Sequence, residues 1–273
     1  MRIAIQGELG SFSHQAALNL EPQATIVPCA HSPEVFKLVE SAEVCAAVIP
    51  IENSLAGSVV EHFDLLFQCQ VQIERESLLR IRHNLIGSPG STVEGIRRVL
   101  SHPVALAQCR RFLSQHGKMS PTPFYDTAGS VKHVVEQGNS QDAAIASEQA
   151  ALAYGGQVLA SGIEDNAANY TRFFLIRRSV PGPAGDGDKV SIAFTVENRP
   201  GTLVAALEVF ADYNTNLCKV ESRPVHGQPW QYVFYVDYQV SDPASTSAAL
   251  DQLRRRCLLV KELGRYPAAR PLS

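Results

Sequence analysis

Ser179-Val180-Pro181-Gly182-Pro183-Ala184-Gly185-Asp186-Gly187-Asp188 is the stretch that decides how this 273-residue chain is organised. Five of its ten residues are Pro or Gly. Proline removes a backbone donor and glycine adds backbone freedom, so the stretch holds neither a helix nor a central strand. It reads as a linker at 179–188 between domains of residues 1–178 and 189–273. About two domains is also what the length alone suggests, at roughly 150 residues each.

Upstream of the linker, short apolar runs alternate with helical patterns. Ile3 to Gln6, Ala24 to Pro28, Ala46 to Ile51, Arg98 to Leu100, Pro123 to Tyr125, Ala143 to Ala146, Gln157 to Ala160 and Thr171 to Ile176 read as strands. Ser13 to Leu20, Ser32 to Ser41 and Val60 to Phe67 read as helices between them. This alternation predicts an α/β sheet protein. Val71 to Ile86 has little helical character and reads as a pair of extended strands crossing between lobes. Downstream, Val190 to Val196 is a strand, Leu203, Leu207 and Phe210 mark a helix face, and Leu217 to Glu221 and Tyr232 to Val240 are strands. Ser245 to Cys257 is a helix and Leu258 to Leu263 a last strand. That order, βαββαβ, predicts a ferredoxin-like domain.

The net charge of −3, from 24 basic and 27 acidic residues, argues against a polyanion binder driven by bulk electrostatics. Charged residues make up 19% of the chain, below the usual roughly 25%, which suggests surface buried against another subunit. No apolar run reaches membrane-spanning length, and Met1-Arg2-Ile3-Ala4-Ile5-Gln6-Gly7 reads as a first strand rather than a signal peptide. A cytoplasmic protein is expected. Six dispersed cysteines and eight dispersed histidines predict reduced, mostly buried thiols and no metal site.

Nucleotide signatures are missing. Gly7-Glu8-Leu9-Gly10-Ser11 follows a strand but lacks the Lys-Ser/Thr of a phosphate loop and the third glycine of a dinucleotide loop. It fits either a simple helix cap or an anion site at a helix N-terminus. The arrangement recurs at Pro50 to Val59, at Ser101-His102-Pro103 ahead of Gln108, at Asp126 to Val131 and at Ser147. Small polar residues thus collect at strand C-terminal ends, where open α/β sheets bind ligands. Several such ends together would suit a small carboxylate-rich molecule.

These residues resemble one family. Gly7-x-x-Gly10-Ser11-Phe12-Ser13, Pro50-Ile51-Glu52-Asn53-Ser54 with Gly57, Ser101-His102-Pro103 with Gln108-Cys109, Asp126-Thr127-Ala128, Ala146-Ser147 with Tyr154-Gly155, and Asn169-x-Thr171-Arg172-Phe173 look like prephenate dehydratase. The C-terminal part resembles the ACT regulatory domain of that family, through Gly201-Thr202-Leu203-Val204 and Glu221-Ser222-Arg223-Pro224. Val104, Gly156 and Thr202 depart from residues common in the family. The resemblance covers essentially the whole chain.

It implies a two-lobed, periplasmic-binding-protein-like catalytic domain over 1–178 and a ferredoxin-like ACT domain over 189–273. It implies conversion of prephenate to phenylpyruvate, carbon dioxide and water, with no metal or organic cofactor. Thr171 is the implied catalytic residue, donating to the departing hydroxyl. Ser11, Asn53, Ser101, Gln108 and Thr127 are implied in substrate binding. Arg172 fits a carboxylate clamp or a structural ion pair equally. The regulatory domain implies L-phenylalanine as effector, held by Gly201, Thr202, Leu203, Val204, Asn216, Leu217, Glu221, Ser222, Arg223 and Pro224 across a subunit boundary, in a homodimer or homotetramer. Arogenate dehydration is the alternative reaction, and a non-catalytic amino-acid sensor the alternative class.

Overall fold

A computed structural model describes residues 1–180, 185–225, 227–240 and 242–269; positions 181–184 of the expected linker lie outside these. By compactness the described residues form two units, Met1–His62 with Ser77–Leu175, and Phe63–Glu76 with Ile176–Ala269.

The first unit is built on two mixed sheets. The chain opens with β1 (Arg2–Gln6), α1 (Phe12–Leu20), β2 (Thr25–Cys29), α2 (Ser32–Glu40), β3 (Ala46–Asn53), β4 (Gly57–Ser58), α3 (Val60–Gln68) and β5 (Val71–Arg80). It continues through β6 (Asn84–Gly87), β7 (Arg98–Ser101), α4 (Pro103–Gln108), α5 (Arg110–Gln115), β8 (Ser120–Pro123), α6 (Thr127–Gln137), β9 (Asp142–Ala146), α7 (Glu148–Tyr154), β10 (Gln157–Ser161) and β11 (Tyr170–Arg178). One sheet has the order β2-β1-β3-β11-β5 with β4 paired to β3, and the other β10-β6-β9-β7-β8. The chain therefore leaves the first lobe along β5, builds the second, and returns to the first along β11. Central strands are apolar on both faces, as helix-covered parallel strands must be: Ile3, Ile5, Ala46 and Val48 pack under α1, and Ala144, Ala146 and Leu100 under α6 and α7.

The third strand of the second lobe differs from its expected position. It runs over Ser120–Pro123 rather than from Pro123 to Tyr125. Pro121 and Pro123 are tolerated because β8 is an edge strand, whose outer amides face no ladder partner. The cysteines also need correction. None of the six is in a disulfide, but only Cys29 and Cys109 are buried, while Cys45 and Cys218 are exposed.

The second unit carries β12 (Lys189–Thr195), α8 (Thr202–Asp212), β13 (Leu217–Pro224), β14 (Tyr232–Gln239), α9 (Pro243–Arg256) and β15 (Leu259–Tyr266). Its antiparallel sheet has the order β13-β14-β12-β15, the ferredoxin-like arrangement. Val190, Ile192 and Phe194 alternate along β12 into a core closed by Val209 and Phe210 of α8 and Leu250 and Leu253 of α9. Residues 63–76 join this unit through polar contacts. Tyr235 donates to the Phe63 carbonyl at 3.0 Å, and Lys261 Nζ donates to the carbonyls of Leu66, Phe67 and Cys69 at 2.9, 2.9 and 2.6 Å. A cation on the last carbonyls of α3 complements the negative end of its dipole. Lys189 also reaches both oxygens of the buried Glu76, at 3.1 Å.

Candidate active site

Both lobes of the first unit contribute to a cleft of about 820 Å³. Its walls come from strand C-terminal ends and the helix starts that follow them. Gln6, Gly7, Ser11 and Phe12 line it between β1 and α1, Asn53 and Ala56 to Val59 around β4, His102 and Gln108 on and before α4, Asp126 and Thr127 at α6, and Thr171 and Phe173 on β11.

The local sequence explains these positions. Ser11 caps α1, its Oγ accepting from His14 N at 3.3 Å. Asp126 caps α6, its Oδ1 accepting from Gly129 N at 2.7 Å. First-turn amides of a helix have no intrahelical partner and favour anions, so Phe12, Ser13 and Thr127 offer donors at two edges of the cleft. Gly10 has φ 82°, and a Cβ there would lie 2.5 Å from the Ala150 Cα. Only glycine lets the loop before α1 pack this closely on α7, where Ser147 Oγ donates to the Gly10 carbonyl at 2.5 Å.

A polar chain runs along the cleft floor. Asn53 Oδ1 accepts from the backbone amides of Leu55 and Ala56 at 3.0 and 2.8 Å. Backbone amides can only donate, so the Asn53 side chain is fixed with Nδ2 on its other side. The two hydrogens of that Nδ2 are shared among Asn169 Oδ1 at 2.7 Å, Thr171 Oγ1 at 2.9 Å and, at the longer distance of 3.2 Å, the Tyr170 carbonyl. Asn169 Nδ2 then donates to Gln108 Oε1 at 3.0 Å. Two consequences follow. Thr171 Oγ1 already accepts, so its O–H is left to donate. Gln108 Oε1 already accepts, so its Nε2 is left to donate.

Of the expected site residues, the cleft brings together Thr171, Ser11, Asn53, Gln108 and Thr127. Ser101 and Arg172 do not line it. Ser101 is fully buried, and its Oγ donates to the Ile145 carbonyl at 2.6 Å. Its hydroxyl ties β7 to β9 instead of facing a ligand. Arg172 is neighbour to Thr171 on a strand, where successive side chains point to opposite faces. Thr171 and Phe173 face the cleft, while the Arg172 guanidinium stacks 4.6 Å over the Phe174 ring. Ser101→Ala is therefore expected to leave kcat and KM unchanged and to cost about 1 kcal/mol of stability, measured by urea unfolding alongside steady-state kinetics.

Several cleft groups were not expected from sequence. Asn169 is fully buried and links Asn53 to Gln108; its place two residues before Thr171 on an extended segment was the available signal. Glu8 lines the cleft and accepts from Tyr125 and Tyr154 hydroxyls at 3.1 and 3.4 Å. Asp126 also lines it, and burial raises its carboxyl above the usual range. The Cys29 thiol, another lining group, is pushed up to about 11 by burial and by Glu34. No Lys or Arg stands among the described lining residues.

In the second unit, Gly201 (φ 85°) precedes α8, and Thr202 Oγ1 donates to the carbonyls of Glu197 and Arg199 at 2.7 and 2.9 Å. Leu203 packs on the core and Val204 is exposed. Asn216 Nδ2 donates to Gln239 Oε1 at 3.1 Å. Leu217, Glu221, Ser222, Arg223 and Pro224 lie on the edge strand β13. Glu221 pairs with Lys219 at 3.0 Å and Arg223 with Asp64 at 3.2 Å.

A family model described as prephenate dehydratase matches residues 3–181. Arogenate dehydratase/prephenate dehydratase 2 of Arabidopsis thaliana, a chloroplastic protein, is 39% identical over 279 residues, covering 98% of this chain and 73% of that protein. A solved prephenate dehydratase from Arthrobacter aurescens in complex with L-Phe is 31% identical, with TM-score 0.90 and coverage of 98% and 90%. A solved structure described as GqqA, a novel type of quorum quenching acylase, is 34% identical, with TM-score 0.90 and coverage of 99% of both chains.

Proposed function

Because the chain belongs to the prephenate dehydratase family, we propose that it converts prephenate to phenylpyruvate, carbon dioxide and water, with Thr171 as the catalytic donor. The observation that carries this is the 2.9 Å bond from Asn53 Nδ2 to Thr171 Oγ1. It occupies the hydroxyl as an acceptor and turns its proton outward, toward a departing ring hydroxyl. A threonine hydroxyl is a weak acid, so Thr171 acts as an oriented hydrogen-bond donor to the oxygen on which charge develops; the electron pair of the breaking bond to the carboxylate enters the ring as the C–O bond breaks, and the departing hydroxide takes its second proton from solvent. The Gln108 amide, the Ser11 and Thr127 hydroxyls and the first-turn amides of α1 and α6 hold the carboxylates. Burial of the reacting carboxylate strips its hydration and favours loss of carbon dioxide. Aromatisation of the ring supplies the driving force.

Arogenate is the second reading, and a specific observation favours it. Arogenate carries an ammonium where prephenate carries a ketone, and the carboxylates of Glu8 and Asp126 line a cleft with no described Lys or Arg. Kinetics on both substrates, following phenylpyruvate and phenylalanine, separate the two. The proposal expects the larger kcat/KM on prephenate. A preference for arogenate would transfer the assignment, and turnover of neither would remove it.

The ferredoxin-like unit is read as an ACT domain in a cytoplasmic homodimer or homotetramer, binding L-phenylalanine between subunits. Support comes from the Glu221-Ser222-Arg223-Pro224 run on an edge strand and from the similar protein solved with L-Phe. Calorimetry is expected to show saturable L-phenylalanine binding, and substrate is expected to change that affinity by the same factor by which phenylalanine changes substrate affinity. No heat of binding would remove the effector assignment. Sedimentation at the 29.7 kDa monomer mass would remove the oligomer.

A further inference from the structure

His83 is 2% exposed and lines the cleft, yet no role in the chemistry above requires it. It stands between β5 and β6, where the chain enters the second lobe. Its ring meets the Phe12 ring edge to face, with centroids 5.5 Å apart, and its backbone amide donates to Glu164 Oε2 at 2.9 Å.

The amide chain dictates which ring nitrogen carries the proton. The Leu55 and Ala56 amides fix Asn53, Asn53 Nδ2 fixes Asn169, and Asn169 Nδ2 fixes Gln108 with Oε1 as acceptor. His83 Nε2 lies 2.9 Å from that same Oε1. An amide oxygen cannot donate, so Nε2 carries the hydrogen. Burial lowers the pKa of the imidazole, keeping it neutral. Nδ1 is then a bare lone pair. It is buried and has no hydrogen-bond partner among the described residues. Buried polar atoms are almost always paired, so a buried acceptor left unmatched on a residue of the cleft wall calls for a donor.

We propose that His83 is a further substrate-contacting residue, its Nδ1 accepting a hydrogen bond from the ring hydroxyl to which Thr171 donates. The inference rests on the dehydration reading above. At neutral pH the carboxylates and ketone of prephenate only accept, which leaves its ring hydroxyl as the one donor; arogenate shares that hydroxyl. Holding the hydroxyl proton on Nδ1 turns the oxygen lone pairs toward Thr171. His83 orients the leaving group and, being neutral, is not the acid.

Two substitutions separate contact from support. His83→Gln keeps an amide donor near the Nε2 position for Gln108 and has no acceptor at Nδ1. His83→Asn keeps a polar atom near Nδ1 and loses the donor to Gln108. The expected result is a loss of kcat/KM of about tenfold or more for His83→Gln, with His83→Asn retaining more activity and both melting near the wild type. The reverse order, or wild-type kinetics for His83→Gln, would overturn the contact. Independently of variant folding, ¹⁵N-histidine NMR of the wild type is expected to show the Nε2–H tautomer. Its Nδ1 signal should move with a saturated cyclohexanol analogue of prephenate and stay put with the deoxy analogue; equal movement would overturn the proposal. A wild type inactive on both prephenate and arogenate would instead remove the underlying reading.

Discussion

Thr171→Ala is expected to lower kcat on prephenate by about 100- to 1,000-fold, or about 2.7–4 kcal/mol of barrier, in a protein that melts close to the wild type. The side chain is 8% exposed on β11, and the replacement keeps its Cβ while removing the hydroxyl and one methyl. What disappears is the hydroxyl that accepts from Asn53 Nδ2 at 2.9 Å and has its own proton left to donate. A ground-state contact would raise KM alone, whereas a bond that strengthens as the oxygen departs lowers kcat. Thr171→Ser keeps the hydroxyl and is expected to recover most of the loss. Steady-state kinetics with thermal melts check all three proteins.

Asn53→Asp is the second large effect, and it is nearly isosteric. It replaces the Nδ2 donor with an oxygen facing Asn169 Oδ1, the Tyr170 carbonyl and Thr171 Oγ1. The Thr171 proton would then turn toward the new carboxylate and leave the cleft. The loss in kcat is expected to match that of Thr171→Ala, about 100-fold or more. Because both changes remove the same outward donor, the double variant should cost little beyond either single one, the non-additivity expected within one network. Fully additive losses would show that Asn53 acts apart from Thr171.

Much of the fold was legible in sequence for a physical reason. Central strands such as Ala46 to Ile51 and Ala143 to Ala146 are short apolar runs ended by polar caps, and β12 alternates Val190, Ile192 and Phe194 into one core. Edge elements were less legible, because β8 is built from Ser120-Pro121-Thr122-Pro123 and its prolines matter only once the strand is known to lie at a sheet edge. The site divides in the same way. Thr171, Asn53 and Gln108 are named by motifs and meet in the cleft. Ser101 sits in a motif too, but its hydroxyl ties β7 to β9, and Arg172 is turned away by strand alternation. Asn169 stands in a motif two residues before Thr171, but its link to Gln108, and the place of His83, become visible only when hydrogen-bond polarity is followed from atom to atom across residues 53, 169, 108 and 83. No local pattern encodes that path, since its members come from four separate segments.

The central claim is that this cleft removes water and carbon dioxide from prephenate through Thr171. The most direct measurement mixes the purified full chain with prephenate and follows phenylpyruvate and carbon dioxide together, with the Thr171→Ala protein in parallel. The account predicts the two products in equal amounts from the wild type, and a rate lower by about 100-fold or more from the variant. Equal rates from the two folded proteins, or no phenylpyruvate from the wild type, would contradict it.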